Sequence, residues 1–384
     1  MKSKKISLDL ETITPILIGI WRRFYKLSGP PDRLQTREFR SVVEAVQKLK
    51  SGLEIGHDLI GTDYFNEPGL LGAYLLYQWN LHYQEGISLI GELPRPPRRV
   101  LDLASGPGAF AFAALRHGAR EVIAVDRSKA ALEMAAEVSG RYGFPLSIRP
   151  HLIKGNLPPL EGNFDLIIAG HCLEELFPST YKGWKESQRQ WLNLLLSRLT
   201  PDGCLLLVSS SLPHSNRRLL ELRDELVKDS IPVQAPCIWR GECPALKSNS
   251  PCYGQREYEK TYLLREIQRA ANINLSSLKM SYLLLRNPAS GWPILPEEPL
   301  YRVISPPIET HSGQRFYLCG SDGKKDIGCS LKDVPKDAKA FSYLKRGEVL
   351  SVKNALERGT HLDIIEGTQV TISAPVGKPI QESE

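Results

Sequence analysis

From Arg99 onward the chain repeats one pattern: a short apolar run, a turn of small residues, and a longer stretch with helical periodicity. That alternation is the signature of strands and crossover helices around a parallel sheet. The runs Arg99–Leu103, Glu121–Val125, Leu146–Arg149, Phe164–Ala169 and Cys204–Ser209 predict five strands, with helices starting near Pro107, Ser128, Leu173 and Trp184. A helix over Asn216–Lys228, another from about Tyr262 to Ala271 and a strand over Met280–Leu285 complete an expected sheet domain of residues 99–286. Inside it the segment 232–255 reads as irregular chain carrying three cysteines, a length of structureless chain that usually has a function.

The flanks read differently. Residues 1–98 are expected to be helical: Phe39, Val42, Val43, Val46 and Leu49 share one helix face, and Asn66 as cap with Pro68 in the first turn announces a second helix through Leu70, Leu71, Tyr74, Leu75 and Tyr77. The proline-rich stretch 287–299 reads as a linker, and residues 300–384 alternate short β-prone runs with Gly and Asp turns, the pattern of a small β-barrel. With 42% hydrophobic and 24% charged residues, collagen-like, disordered and disulfide-scaffold classes are excluded. The apolar run Ile13–Trp21 is too short and too broken to span a bilayer, and the charged start is no secretory signal, so a cytoplasmic protein without membrane contact is expected. A net charge of +6 favours a polyanionic partner only mildly. Seven cysteines, an odd number, argue for thiols or a metal site over a disulfide framework.

The motif Val100-Leu101-Asp102-Leu103-Ala104-Ser105-Gly106-Pro107-Gly108-Ala109-Phe110 is an apolar strand turning through small residues into a helix. Such a turn lets backbone approach a ligand and presents free helix amides to it. Asp126 ends the next strand, where an acid can take both hydroxyls of a ribose. A dinucleotide loop would have to read Ala104, Gly106 and Ala109, losing its first glycine. The motif instead resembles that of the class I S-adenosylmethionine methyltransferases, which implies a Rossmann-like α/β sheet. The resemblance gives the methionine part of the cofactor to Asp102, Ser105, Gly106 and Gly108, the ribose to Asp126 and the adenine to Asn156. The chain departs from that family in having Ala104 for a usual glycine and Asn156 for a common aspartate. His171, in Gly170-His171-Cys172-Leu173-Glu174-Glu175-Leu176 after the fourth strand, stands where such enzymes face the methyl group and is counted with the pocket, as a base or a structural hydrogen-bonder. No amine- or cytosine-methylation motif is present there, and no catalytic residue is assigned.

Cys237, Cys243 and Cys252 form a C-x5-C-x8-C array flanked by prolines, without the paired C-x2-C knuckles of structural zinc. A four-thiolate site needs one more ligand, with Cys319 the candidate and Cys329 the rival. The helical preface, the glycine loop, the Pro-Cys…Cys-Pro…Cys-Tyr-Gly-Gln-Arg array, the Ser281-Tyr282-Leu283 strand and the Leu318-Cys319-x-x-Asp322-Gly323 turn together resemble the methyltransferase-like small-subunit ribosome-assembly family. That resemblance implies a [4Fe-4S] cluster on Cys237, Cys243, Cys252 and Cys319, with zinc as the alternative, and the small ribosomal subunit and its rRNA as partner. The barrel resembles an OB-like nucleic-acid-binding module, with Phe316, Tyr317, Phe341, Tyr343, Lys345 and Arg346 available to RNA. Family members often carry Glu-Pro-Gly where this chain has Ser209-Ser210-Ser211, so a non-catalytic assembly factor stands beside the rRNA methyltransferase as a second reading.

Overall fold

The first four apolar runs become parallel strands, and the aliphatic side chains of β1, β2 and β4 are buried on both faces. In the computed structural model, which describes residues 3–55, 58–311 and 313–381, β1 (Arg99–Leu103), β2 (Glu121–Asp126), β3 (Leu146–Pro150) and β4 (Phe164–Gly170) pair in the order β3-β2-β1-β4. Asp102 lies level with Ala124 on one side and Ile168 on the other. The central strands are almost wholly buried, whereas β3, at the edge, alternates half-buried and exposed residues. These strands belong to a compact unit of residues 1–90, 96–200 and 256–278.

Its helical preface comprises α1 (Ser3–Phe24), α2 (Thr36–Lys50), α3 (Pro68–Ala73) and α4 (Trp79–Ile90). The face of α2 named from periodicity is the buried one, through Val42, Val43, Val46 and Leu49. Pro68 opens α3 as expected, but the cap is Glu67: Asn66 instead closes a 3-10 turn over Tyr64–Asn66. A π turn, Tyr74–Gln78, joins α3 to α4. Between the strands run α5 (Ala109–Arg116), α6 (Lys129–Gly140), capped by the Ser128 hydroxyl, the single turn α7 (Leu173–Leu176) and α8 (Trp184–Ser197).

The second unit takes in residues 91–95, 201–255 and 279–384. Here β5 (Leu199–Ser210) is longer than its predicted core. After it come α9 (Pro213–Lys228), β6 (Val233–Ala235), α10 (Pro244–Lys247), β7 (Gly254–Arg256) and β8 (Leu278–Arg286). β8 is antiparallel to both β5 and β6. The segment 232–255 is therefore not wholly irregular, since it holds a strand, a helical turn and most of a second strand.

The second sheet contains β9 (Leu300–Val303), β10 (Ile308–Thr310), β11 (Gly313–Gly320), β12 (Gly323–Gly328), β13 (Val349–Lys353), β14 (Leu356–Arg358), β15 (His361–Asp363) and β16 (Gln369–Ala374). Its order is β14-β15-β12-β11-β9-β13-β16, with β10 on β11. This sheet curls over a core of Phe316, Leu318, Ile327, Phe341 and Leu350, giving a half-barrel. Phe316 and Phe341 meet edge to face at 5.4 Å. Both are thus core residues and are withdrawn from the RNA-facing set, because strand alternation turns them inward while Tyr317 points out. The expected linker is packed against this unit: Arg240 donates to the Pro293 carbonyl at 2.8 Å and lies over the Trp292 ring.

Candidate functional site

At the carboxyl end of β1 the chain turns through three residues in left-handed backbone, Ala104 (φ 51°), Gly106 (φ 51°) and Gly108 (φ 76°). Two are glycines, which adopt this conformation at no steric cost; Ala104 is not, and its strain explains why a glycine is the usual residue there. Ala104→Gly is expected to stabilise the protein by up to about 1 kcal/mol, the relieved strain being partly offset by the freer unfolded chain. Gly108 has a second constraint, since a Cβ on it would stand 2.7 Å from the Cβ of Ala135. Gly108→Ala is expected to cost about 2–4 kcal/mol in denaturant unfolding, strain and overpacking together.

Two carboxylates pin this loop. Asp102 accepts from the Ala111 amide at 2.9 Å, in the first turn of α5. Asp126 accepts from the Gly106 amide on one oxygen and the Ser128 amide on the other, both at 2.8 Å. Between them the Ser105 hydroxyl is buried with no hydrogen-bond partner. A buried unpaired hydroxyl beside a helix N-terminus is unfavourable unless a ligand completes it.

The electrostatics select the sign of that ligand. Burial pushes the Asp102 carboxyl up to about 8, with the Asp126 charge adding to it. Burial likewise raises Asp126, and it lifts Glu175 to about 7 although Arg127 opposes this. Three crowded acids with one nearby guanidinium favour a cation and repel a pyrophosphate. Asp102 also occupies the helix N-terminus where a dinucleotide's phosphates would bind. Since the ligand-free folded state holds protons that the unfolded chain has released, stability falls as pH rises from about 4 through 8. Ligand-free protein is expected to melt at a lower temperature at about pH 8 than at about pH 6.

The preface supplies a cover that sequence reasoning missed. The Phe65 ring lies 3.2 Å from where a Gly106 Cβ would be, Tyr74 packs edge to face on Phe65 at 5.0 Å, and the Tyr64 hydroxyl reaches Glu175 at 3.4 Å. A run of aromatics at Tyr64, Phe65 and Tyr74 was the available signal. Of the predicted pocket residues, Asp102, Ser105, Gly106, Gly108 and Asp126 converge. Asn156 is exposed, its side-chain oxygen accepting from the Lys154 amide at 3.1 Å. His171 turns to α4, with Nε2 2.8 Å from Glu85 and its ring stacked on His82 at 4.3 Å.

In the second unit, one face of α9 organises the cysteine array. Asn216, Leu220, Arg223 and Asp224 follow helical spacing: Asn216 exchanges bonds with the Cys252 backbone, Asp224 accepts from the Cys243 amide at 3.0 Å, and Leu220 packs on Cys243. Arg223 donates to the Trp239 and Gly241 carbonyls, with Cys237 near its guanidinium. Burial pushes the Cys252 thiol up to about 12, with Cys237 and Cys243 adding to it, and Cys319 is raised by burial and by those same three neighbours. Cys237, Cys243, Cys252 and, from β11, Cys319 thus lie close enough to act on one another electrostatically. Cys329 lies instead in the half-barrel core beside Phe316. Cys243 is buried, and Cys237, Cys252 and Cys319 are half-buried. Cys172 and Cys204 are buried in the interior.

Among the described residues no helix is long and apolar enough to cross a membrane. Ribosomal protein L11 methyltransferase of Symbiobacterium thermophilum is 38% identical over 78 residues, 20% of this chain and 25% of that protein. The corresponding protein of Syntrophotalea carbinolica is 31% identical over 126 residues, 32% of this chain and 36% of its own length. The chain thus spans about a quarter to a third of the length of these relatives. Among solved structures, the ribosomal protein L11 methylase from Lactobacillus delbrueckii subsp. bulgaricus overlaps at TM-score 0.30 and 23% identity, covering 41% of this chain and 71% of that one. N-methyltransferase NodS from Bradyrhizobium japonicum WM9, in complex with S-adenosyl-L-homocysteine, overlaps at TM-score 0.36 and 13% identity, covering 65% and 99%. A family model described as mitochondrial small ribosomal subunit Rsm22 matches residues 93–349, about two thirds of the chain. Glycine loop, Asp126, cysteine array and Cys319 all fall within that one match, and the chain belongs to the Rsm22 family.

Proposed function

We propose that this chain binds S-adenosylmethionine at the glycine loop, transfers its methyl group to RNA of the small ribosomal subunit, and carries a [4Fe-4S] cluster on Cys237, Cys243, Cys252 and Cys319. The observation that carries the cofactor reading is the pair of buried acids around the loop, with the Ser105 hydroxyl unpaired between them. S-adenosylmethionine is a sulfonium and an ammonium cation, and when bound it supplies an activated methyl group. Asp102 and the loop amides would hold its methionine part, and Asp126 keeps lone pairs for two ribose hydroxyls. Phe65 and Tyr74 exclude water over the loop, so the charges act in a low dielectric.

Four thiols that influence one another electrostatically are compatible with either an iron–sulfur cluster or zinc. The family resemblance and the wide, irregular spacing favour the cluster. For RNA, the exposed Tyr317 and Tyr343 offer stacking faces, with Lys324 over the Tyr317 ring at 4.8 Å and Lys345 exposed nearby in sequence. Removing either tyrosine is expected to weaken binding to the subunit by about 1–3 kcal/mol, in a salt-dependent background. Relatives named for methylation of a ribosomal protein support the ribosome as target.

Labelled methyl transfer to small subunits from cells lacking this chain tests it, using anaerobically purified protein assayed for iron, sulfide and zinc. Label in rRNA, with iron and acid-labile sulfide present, is expected. Bound cofactor and bound subunits without label would establish the assembly-factor reading, which the engagement of His171 by Glu85 favours. Zinc without sulfide would replace the cluster.

A further inference from the structure

Apart from the loop acids and the thiols, α4 and the end of β4 bring three metal-binding side chains together inside the first unit. A ring nitrogen each of His82 and His171 and a carboxylate oxygen of Glu85 all lie within 4.8 Å of one another. His82 and Glu85 stand three apart on α4, the spacing that places side chains on one helix face. Glu85 is 5% exposed, and His171 at 2.8 Å is its hydrogen-bond partner. Placing that imidazole there holds the His171 backbone in the left-handed region at φ 55°, a conformation that costs a non-glycine residue stability and clusters at functional sites.

The two imidazoles are parallel to within 9°. The His82 ring also stacks on the Phe110 ring at 6.0 Å. Its Nδ1 is 2.9 Å from the Tyr74 hydroxyl, the kind of outer hydrogen bond that fixes the tautomer and ring plane of a metal-bound histidine. Tyr74 stands in the π turn, a widened turn frequent at functional sites.

The geometry points to a divalent transition-metal site formed by His82, Glu85 and His171, with zinc the ion that two imidazoles and one carboxylate suit. Three protein ligands leave a position open, the donor count of reactive zinc centres and not of closed structural ones. This site does not require methyl transfer, although it shares Tyr74 with the cover of the glycine loop, and its nitrogen and oxygen donors distinguish it from the four thiols.

Cobalt(II) is the probe. The full chain, purified anaerobically with the metal of its cysteine site retained and assayed, is titrated with Co2+ and followed by visible absorption and elemental analysis. One further equivalent is expected, with visible ligand-field bands and no thiolate-to-cobalt charge transfer. Glu85→Gln, which keeps the side chain's shape, and His171→Asn, which tolerates left-handed backbone, are each expected to weaken uptake at least about a hundredfold. Tyr74→Phe, which removes only the positioning hydroxyl, is expected to weaken it about tenfold. No further equivalent in the unaltered chain, or uptake that shows a thiolate band and persists in both ligand variants, would overturn the site. Should a variant melt early, the unaltered chain decides: a zinc-dependent rise in melting temperature reversed by chelator is expected, and its absence counts against the site.

Discussion

Asp126→Ala is expected to lower affinity for S-adenosylmethionine at least about a hundredfold, the loss of two charge-assisted hydrogen bonds at about 1.5–3 kcal/mol each. The same change leaves the amides of Gly106 and Ser128 without an acceptor, so the loop itself loosens. Fold stability should suffer less than binding, because burial already disfavours the ionised carboxyl in the ligand-free protein. Calorimetric titration beside a thermal melt separates the two effects. Asp126→Asn, which retains one acceptor oxygen, should fall between. An affinity unchanged in both variants would remove Asp126 from the site.

The second large effect divides the cysteines. Cys319→Ser is expected to abolish iron and sulfide retention, since Cys237, Cys243 and Cys252 act on its thiol electrostatically, whereas Cys329→Ser should keep full metal content. The latter places a hydroxyl among Phe316, Leu318 and Ile327 and should cost about 1–3 kcal/mol of stability instead. Metal analysis and unfolding on the two variants give opposite patterns. Iron lost from Cys329→Ser and kept by Cys319→Ser would exchange their roles.

The elements that hold the cofactor loop were legible because they are local. Apolar runs separated by small residues gave β1 through β4 to within a residue or two, and the Asp102-to-Asp126 spacing lies within one strand-helix-strand unit. The α2 face was legible for the same reason, through its three-and-four spacing. Contacts between distant segments were not. Nothing in the spacing of His82 and Glu85 announces that His171 will fold onto them, and Phe65 reaches Gly106 only once the preface is packed. Pattern alone also cannot tell an inward aromatic from an outward one when strand ends are uncertain. Phe316 and Tyr317 are neighbours in sequence, yet one is core and the other is exposed. For the cysteines, sequence order alone left Cys319 and Cys329 as rivals; the half-barrel puts Cys329 in its core, while Cys319 is half-buried.

The most direct test of the account is S-adenosylmethionine binding to the full chain between about pH 6 and pH 8, measured by calorimetry in buffers of different ionisation enthalpy. Asp102 and Glu175 are held partly protonated in the free protein, near 8 and 7, and a cationic ligand favours their ionised forms. Affinity is therefore expected to rise with pH across this range, with protons released on binding. Binding that is absent throughout, or that occurs without pH dependence or proton release, would contradict the claim that this acid-lined glycine loop is the cofactor site.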